Sequence, residues 1–269
     1  MTTAYNIVLN ARKADRPCSG QYIEALTDDF IELKGDRCFG DDKALIGGIG
    51  LIGNIPVTII GIEKGSETKE RIAHNFGSAY PEGYRKALRL ARGAEKFGRP
   101  IICFIDTAGA YPGIEAEKRG QGQAIAECLF ELSTLRTPIL SIVIGEGGSG
   151  GALALCQGDR IWMLEDAYFS VVSPENCANI LWKDTKLADM AAGALKLTAG
   201  DLLSLNIIDK IIKGHCDNKE HKGFSDFCEN LRREIIAELT ALSMLTPETL
   251  INERYEKYRK IGCLNYECD

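Results

Sequence analysis

Ile101-Ile-Cys-Phe-Ile-Asp-Thr-Ala-Gly-Ala-Tyr-Pro-Gly113 and Ile139-Leu-Ser-Ile-Val-Ile-Gly-Glu-Gly-Gly-Ser-Gly-Gly151 decide the fold. Each is a short apolar run of strand length that enters a glycine-rich loop and then a helical pattern. Between them Glu115–Leu135 reads as one long helix, ending near Arg136-Thr137-Pro138. One strand–helix–strand crossover makes Ile101–Asp106 and Ile139–Ile144 parallel neighbours. Both glycine loops then leave the same edge of the sheet, where ligand sites of α/β folds lie.

Working outward, Glu82–Phe97 carries Tyr84, Ala87, Leu88, Ala91 and Ala94 near helical spacing and is closed by Gly98 and Pro100. Ala44–Ile52 and Val57–Ile62 are β-branched runs flanking Gly53-Asn54, a hairpin signal. Residues 1–42 read as a helical, polar segment, with candidate helices at Ala4–Lys13 and Gln21–Leu33 around a Pro17–Gly20 break. Beyond the second glycine loop, Ala152–Cys156 opens a short apolar helix and Arg160–Val172 reads as paired strands. From Cys177 the chain is mostly helical, with Ile207–Ile212 as a last short strand and amphipathic helices at Phe224–Leu242 and Pro247–Lys260. The expectation is an α/β fold with covered sheet faces: an N-terminal segment (1–42), a core (43–215) and C-terminal helices (216–269).

Composition excludes several classes. The 269 residues are 45% hydrophobic and 26% charged, with a net charge of −6, which argues against nucleic-acid binding held by bulk charge. No apolar run approaches the roughly 18–20 residues that span a bilayer. No signal peptide is visible, so a cytoplasmic setting is expected. The ten cysteines form no C-x-x-C, the closest pair being Cys263 and Cys268. Reduced thiols are therefore expected, with no metal in this chain. Histidine is scarce: His74, His215 and His221.

Five glycines in Gly145–Gly151 bring bare backbone close to a ligand, and a helix start leaves free N–H groups, so an anion or oxyanion site made of main chain is expected. A phosphate-cradling P-loop fails because no Lys follows Gly151. Gly145-Glu-Gly147-Gly-Ser-Gly150 meets a dinucleotide fingerprint, but after a mid-chain strand. Gly147-Gly-Ser149-Gly-Gly151 meets a nucleophile elbow, which needs a His base, and only His215 and His221 lie downstream. In the other loop Gly109 and Gly113 free the backbone. Asp106 is either a catalytic carboxylate or a cap of its own loop amides. Glu63–Arg99 holds nine Lys/Arg against five Glu, a net +4 that leaves −10 elsewhere. It reads as a solvated helix face, or as attraction for an anionic ligand or acidic partner.

Gly35-Asp-Arg-x-Phe-Gly-Asp-Asp-Lys-Ala44, Lys64-Gly-x-Glu-Thr-Lys69, Asn75-Phe-Gly77, Pro81-Glu-Gly-Tyr-Arg-Lys-Ala-Leu-Arg-Leu90, Asp106-Thr-x-Gly-Ala-Tyr-Pro-Gly113, Gly145-Glu-Gly-Gly-Ser-Gly-Gly-Ala-Leu-Ala154 and Ser173-Pro-Glu-x-Cys-Ala178 resemble the alpha subunit of bacterial acetyl-coenzyme A carboxylase carboxyltransferase. The resemblance spans about residues 5 to 212. It implies a crotonase-like superhelix of repeated ββα units with C-terminal helices. It implies transfer of a carboxyl group from carboxybiotin, on a biotin carboxyl carrier protein charged by biotin carboxylase, to acetyl-CoA. The product is malonyl-CoA, for fatty acid biosynthesis. It also implies a beta subunit with a zinc ribbon, in an alpha2-beta2 heterotetramer.

On matching positions the resemblance makes the Gly150 and Gly151 amides donors to the biotin ureido oxygen. It places Gly109, Ala110, Tyr111, Gly147, Gly148 and Ser149 around the substrates. Amide donors can carry the developing charge and the biotin nitrogen can take the acetyl proton, so no His or Glu base is required. The sequence departs from the family at Ala108 (usually Pro), Ser66 and His74 (usually Arg) and at the Gly214-His-Cys-Asp-Asn tail. Alternatives are a biotin-dependent acyl-CoA decarboxylase subunit, a hydrolase using Ser149, and a non-catalytic scaffold subunit.

Overall fold

The computed structural model describes residues 3–214 and 221–262. Thr3 caps α1 (Ala4–Ala11) by accepting from the Asn6 N–H, and α2 (Ser19–Leu26) follows. The helix expected over Gln21–Leu33 stops at Leu26. Residues 28–32 are instead β1 (Asp28–Glu32), which pairs antiparallel with β2 (Leu45–Ile52), so sheet pairing outweighs local helical preference there. β2 and β3 (Ile55–Ile62) form the expected hairpin. Ile52 lies opposite Ile55, and Gly53 takes the positive φ of +60° that the two-residue turn requires.

α3 (Thr68–Ala73) and α4 (Pro81–Lys96) lead into β4 (Ile101–Thr107), every residue of which is buried. The long helix expected next is two: α5 (Ile114–Lys118) and α6 (Gln121–Thr134), broken where Gly120 adopts φ +84°. β5 runs Ile139–Gly148, so the first half of the second glycine stretch is strand rather than loop. α7 (Ser149–Leu153) follows at once, starting before the expected Ala152. β6 (Arg160–Leu164) and β7 (Tyr168–Ser170) do not pair with each other. Each lies parallel to β5, β6 along its first half and β7 along its glycine-rich end. The remaining elements are α8 (Pro174–Trp182), α9 (Ala188–Leu195), α10 (Ala199–Ser204), β8 (Lys210–Ile212), α11 (His221–Ser243) and α12 (Pro247–Lys260).

The sheet order is β1-β2-β3-β4-β5-β6-β8, with β7 beside β5. β4 and β5 are parallel, Ile101 opposite Ile139, so both glycine segments do emerge at one edge. Helices cover both faces. Gly47 faces Leu90 of α4, whereas Gly61, next to Gly47's register partner Ile60, faces Ser19 of α2. Fully buried Ile59, Ile60, Ile62, Ile102, Phe104, Ile142 and Val143 form the middle of the core, each worth about 1.5–3 kcal/mol of burial. No described helix is long and apolar enough to cross a membrane.

Candidate functional site

Close backbone approach builds the site. Past β4, Thr107 Oγ1 accepts from the Gly109 N–H at 3.0 Å and donates to the Gly109 carbonyl at 2.9 Å. This ring holds Gly109 at φ +150°, with nothing near its missing side chain. Across from it, a side chain on Gly145 would strike the Asp106 carboxylate at 2.5 Å, one on Gly147 the Tyr168 carbonyl at 2.9 Å, and one on Gly148 the Ala108 carbonyl. These residues are glycine because strands meet there. Ser149, at φ +52°, then turns the exposed chain into α7.

The turn brings Gly151 against the Gly109–Ala110 peptide: a Cβ on Gly151 would lie 2.5 Å from Ala110 N and 2.8 Å from Gly109 C. The N–H groups of Gly150, Gly151 and Ala110 donate to no acceptor among the described residues. In the first turn of a helix no intrahelical acceptor exists for them. α7 has only five residues, so the discrete N–H groups matter here more than any macrodipole.

Two cavities flank Ser149. One, of about 290 Å³, is lined by Leu153, Phe169, Val171, Leu195, Leu202 and Ile207, with Ser149, Gly150 and Ser170 at its polar end. The other, of about 320 Å³, lies between Ala108, Gly148, Tyr168 and the start of α8 at Ser173 and Asn176.

Beneath the turn is a buried ionic cluster. Lys64 Nζ donates to Asp106 Oδ1 at 2.9 Å and to Glu146 Oε1 at 2.6 Å. The Glu146 N–H also donates to Asp106 Oδ1, at 2.8 Å. Glu146 Oε2 accepts from Tyr168 Oη (2.7 Å) and from Arg12 Nε (3.0 Å), and Arg12 reaches on to Glu175. Burial raises the cost of charge on Glu146, but Lys64, Tyr168 and Arg12 outweigh it and its carboxyl stays below the usual range. Burial likewise opposes the Lys64 charge, and the two carboxylates outweigh it, so Lys64 is raised. Asp106 thus neither caps its own loop nor faces a cavity; it ties the ends of β4 and β5 together.

Of the expected site residues, Gly150 and Ser149 border the apolar cavity and Gly148 and Ser149 the second, whereas Gly109, Ala110 and Gly151 lie against one another and line neither. Gly147 is buried inside β5 and lines neither cavity. Tyr111 packs against Tyr80 with its ring tilted by 31° and the centroids 4.3 Å apart, and it lines neither cavity. Ser149 has the exposed, positive-φ setting of an elbow but hydrogen-bonds no described side chain. His74 lies elsewhere, against the Lys43 carbonyl. His215 lies outside the described residues, as does the His221 side chain. Ser66 Oγ donates to the Glu70 carboxylate at 2.7 Å, just ahead of the α3 N-cap Glu67.

The basic segment is no open anion field. Lys86 is buried on Asp41 and the Asp42 carbonyl, Arg85 holds Asp36, Arg89 holds the Leu33 and Gly35 carbonyls, and Arg92 pairs with Glu131. One face of α4 clasps the 33–42 loop. Sequence reasoning missed Arg12, Lys64 as part of the site's support, and Tyr168. Arg12 meets its partners 134 and 163 positions away, a pairing with no local signal. Among the described residues no cluster of His, Cys, Asp or Glu could hold a metal.

Comparison with known proteins shows the family. The family model described as acetyl co-enzyme A carboxylase carboxyltransferase-like matches residues 1–262. The chain is 53% identical over 263 residues to the acetyl-coenzyme A carboxylase carboxyl transferase subunit alpha of Ruminiclostridium cellulolyticum, covering 97% of this chain and 99% of that one. It is 56% identical over 258 residues to the subunit alpha of Clostridium perfringens, covering 96% and 95%. Among solved structures, transcarboxylase 12S superposes with a TM-score of 0.68 at 18% identity, over 90% of this chain and 44% of that one. The beta subunit of Pseudomonas aeruginosa geranyl-CoA carboxylase gives 0.65 at 16%, over 94% and 45%. This chain spans less than half of those two proteins, and at that identity they speak to the fold alone. The fold is the expected crotonase-like one.

Proposed function

The chain belongs to the acetyl co-enzyme A carboxylase carboxyltransferase family, and from that premise we propose that the Gly150 and Gly151 N–H groups are the donors that hold negative charge on the biotin ureido oxygen during carboxyl transfer. The chain is an alpha-type subunit of that carboxyltransferase and works in a multi-subunit complex. Its carboxyl donor is carboxybiotin on a biotin carboxyl carrier protein charged by biotin carboxylase, and its acceptor is acetyl-CoA. Its partner is a zinc-bearing beta subunit, in an alpha2-beta2 assembly, that brings most of the acetyl-CoA site.

The residues present fit the donor group. A bicyclic ring with one polar edge matches an apolar cavity whose polar end is Ser149 and Gly150. When bound, the group supplies an activated carboxyl. The chain's own residues do the rest. Gly150 and Gly151 donate from fixed backbone, which costs no reorganisation as charge develops and is worth about 3–4 kcal/mol per donor. The Gly109–Ala110 peptide packs directly against Gly151 and fixes its position. Lys64, Asp106 and Glu146 fix the two strand ends from below. Leu153, Phe169 and Leu202 exclude water from one side. Val171, 76% exposed at the shared rim of both cavities, marks where the partner completes the enclosure.

The observation that carries this reading is the pair of adjacent N–H groups without an acceptor beside an apolar cavity. The test is transfer measured with free biocytin and malonyl-CoA. The chain alone is expected to be inactive, and the chain co-expressed with a beta subunit to be active. Robust activity of the isolated chain overturns the split site.

A further inference from the structure

Tyr84 stands among the apolar positions of α4, and its ring is fully buried. Its hydroxyl has no hydrogen-bond partner among the described residues. Leaving a buried O–H unpaired costs about 1–3 kcal/mol, and phenylalanine would fill the same space without that cost. The place of the hydroxyl is specific. Tyr84 Oη lies 2.9 Å from the point a Gly151 Cβ would occupy, and Ala110 N lies 2.5 Å from that same point. Ala110 N–H also lacks an acceptor among the described residues. An O–H and an N–H, both unpaired, thus converge behind the residue that presents the donor amide. Burial keeps the phenol protonated, so it remains a donor across the working pH range.

A second buried atom without a partner, Gln121 Oε1, belongs to the same brace. Gln121 Nε2 donates to the Ala79 carbonyl at 2.8 Å and to the Tyr111 carbonyl at 3.1 Å, and the Tyr111 N–H donates to Ala79 O at 3.0 Å. The 109–111 segment is therefore held by Gln121, and Tyr84 and Gln121 each keep one polar atom unspent beside it.

We propose that Tyr84 is a positioning residue for carboxyl transfer: its hydroxyl, through one water shared with the Ala110 N–H, braces the Gly109–Ala110 peptide behind Gly151 and keeps the donor amides on the seated oxygen. This inference rests on Gly150 and Gly151 being the donors.

The test is Tyr84→Phe in the full chain assembled with its beta subunit. The ring and its packing stay, so only the hydroxyl is removed. The kcat is expected to fall about tenfold, the size of one lost hydrogen bond in a fixed site, with KM for both substrates unchanged. The thermal midpoint should fall by no more than about 2–4 °C, the size of one lost hydrogen bond. Unchanged kcat with a higher midpoint overturns the inference and leaves the donor assignment standing. A fall in kcat with a midpoint lower by about 10 °C or more also overturns it, since the hydroxyl is then structural. If the wild-type complex transfers no carboxyl group at all, the function it rests on fails and the inference fails with it.

Discussion

The Lys64 ammonium and the Glu146 carboxylate, 82 positions apart in the chain, meet at 2.6 Å beneath the glycine turn. Asp106 completes the cluster at 2.9 Å from the same nitrogen. One cation thus neutralises part of the charge of two buried carboxylates at the ends of adjacent parallel strands.

Replacing that cation exposes the cost of the carboxylates. Lys64→Met should lower unfolding free energy at pH 7 by about 3–5 kcal/mol, the cost of breaking a buried pair from one side. Burial pushes the Glu146 carboxyl up and Lys64 is the strongest influence holding it down, so without Lys64 it rises and the deficit should shrink as pH falls and a proton neutralises it. Urea unfolding at pH 7 and pH 5 measures both. A variant within about 1 kcal/mol of wild type at pH 7 means that the turn does not depend on the cluster.

Asp36 gives a pH dependence of the opposite kind. Burial pushes its carboxyl up, but the Cys38 N–H, Arg85 and the Phe39 and Gly40 N–H groups outweigh this and bring it to about 2. Its contribution is therefore complete above the unfolded value near 3.8 and is lost as pH falls towards 2. Asp36→Asn should be less stable than wild type at pH 6, and the two should converge near pH 2. A gap that persists unchanged at pH 2 means that the charge is not what holds the loop.

At the far end of the molecule Arg254 of α12 has its side chain fully buried. It donates to both oxygens of Asp159 at 2.8 Å and to the carbonyls of Leu132 and Leu135. Asp159 in turn accepts from the Ile139 N–H that begins β5, at 2.7 Å. Arg254→Met should cost about 3–5 kcal/mol and release the C-terminal helix to limited proteolysis. Protease resistance equal to wild type would show that α12 is held by its apolar contacts.

Thiol reactivity separates one cysteine from the rest. Of the seven described cysteines only Cys38 is exposed. Burial pushes Cys18, Cys128 and Cys156 up to about 12, so their thiolate fractions at neutral pH are negligible. Iodoacetamide on the folded protein, read by peptide mass mapping, should modify Cys38 and leave Cys103, Cys128 and Cys156 untouched until denaturant is added. Early labelling of the β4 or α6 thiols would mean that the core opens locally.

Much of this was legible in the sequence. Gly53-Asn54 named its own hairpin, and two apolar runs spaced by a helix gave parallel strands with both glycine segments at one edge. What failed was contact-dependent. The glycines at 145, 147 and 148 serve close strand approach as well as a loop, which only Asp106, Tyr168 and Ala108 reveal. The break at Gly120 is hidden inside a good helical pattern, because glycine's positive φ there answers to tertiary placement. Tyr84 counted as an apolar residue at helical spacing, and nothing in its neighbours says that its hydroxyl is unpaired. The cations of α4 looked like surface charge, whereas their acceptors on the 33–42 loop lie 44 to 54 positions away.

The most direct measurement compares Gly150→Ala with Gly150→Pro in the assembled complex. The site tolerates a Cβ, whose nearest neighbour would be Ile125 at 3.7 Å, and proline is accepted in a first helical turn, where its missing N–H has no intrahelical partner. The two variants therefore differ by one N–H, by the ring carbon that replaces it and by the restraint that proline puts on Ser149 at φ +52°. With circular dichroism and subunit pairing unchanged, Gly150→Ala should retain transfer within severalfold of wild type, and Gly150→Pro should lose about 10²–10³-fold in kcat. Equal transfer by the two variants would contradict the claim that this amide holds the charge.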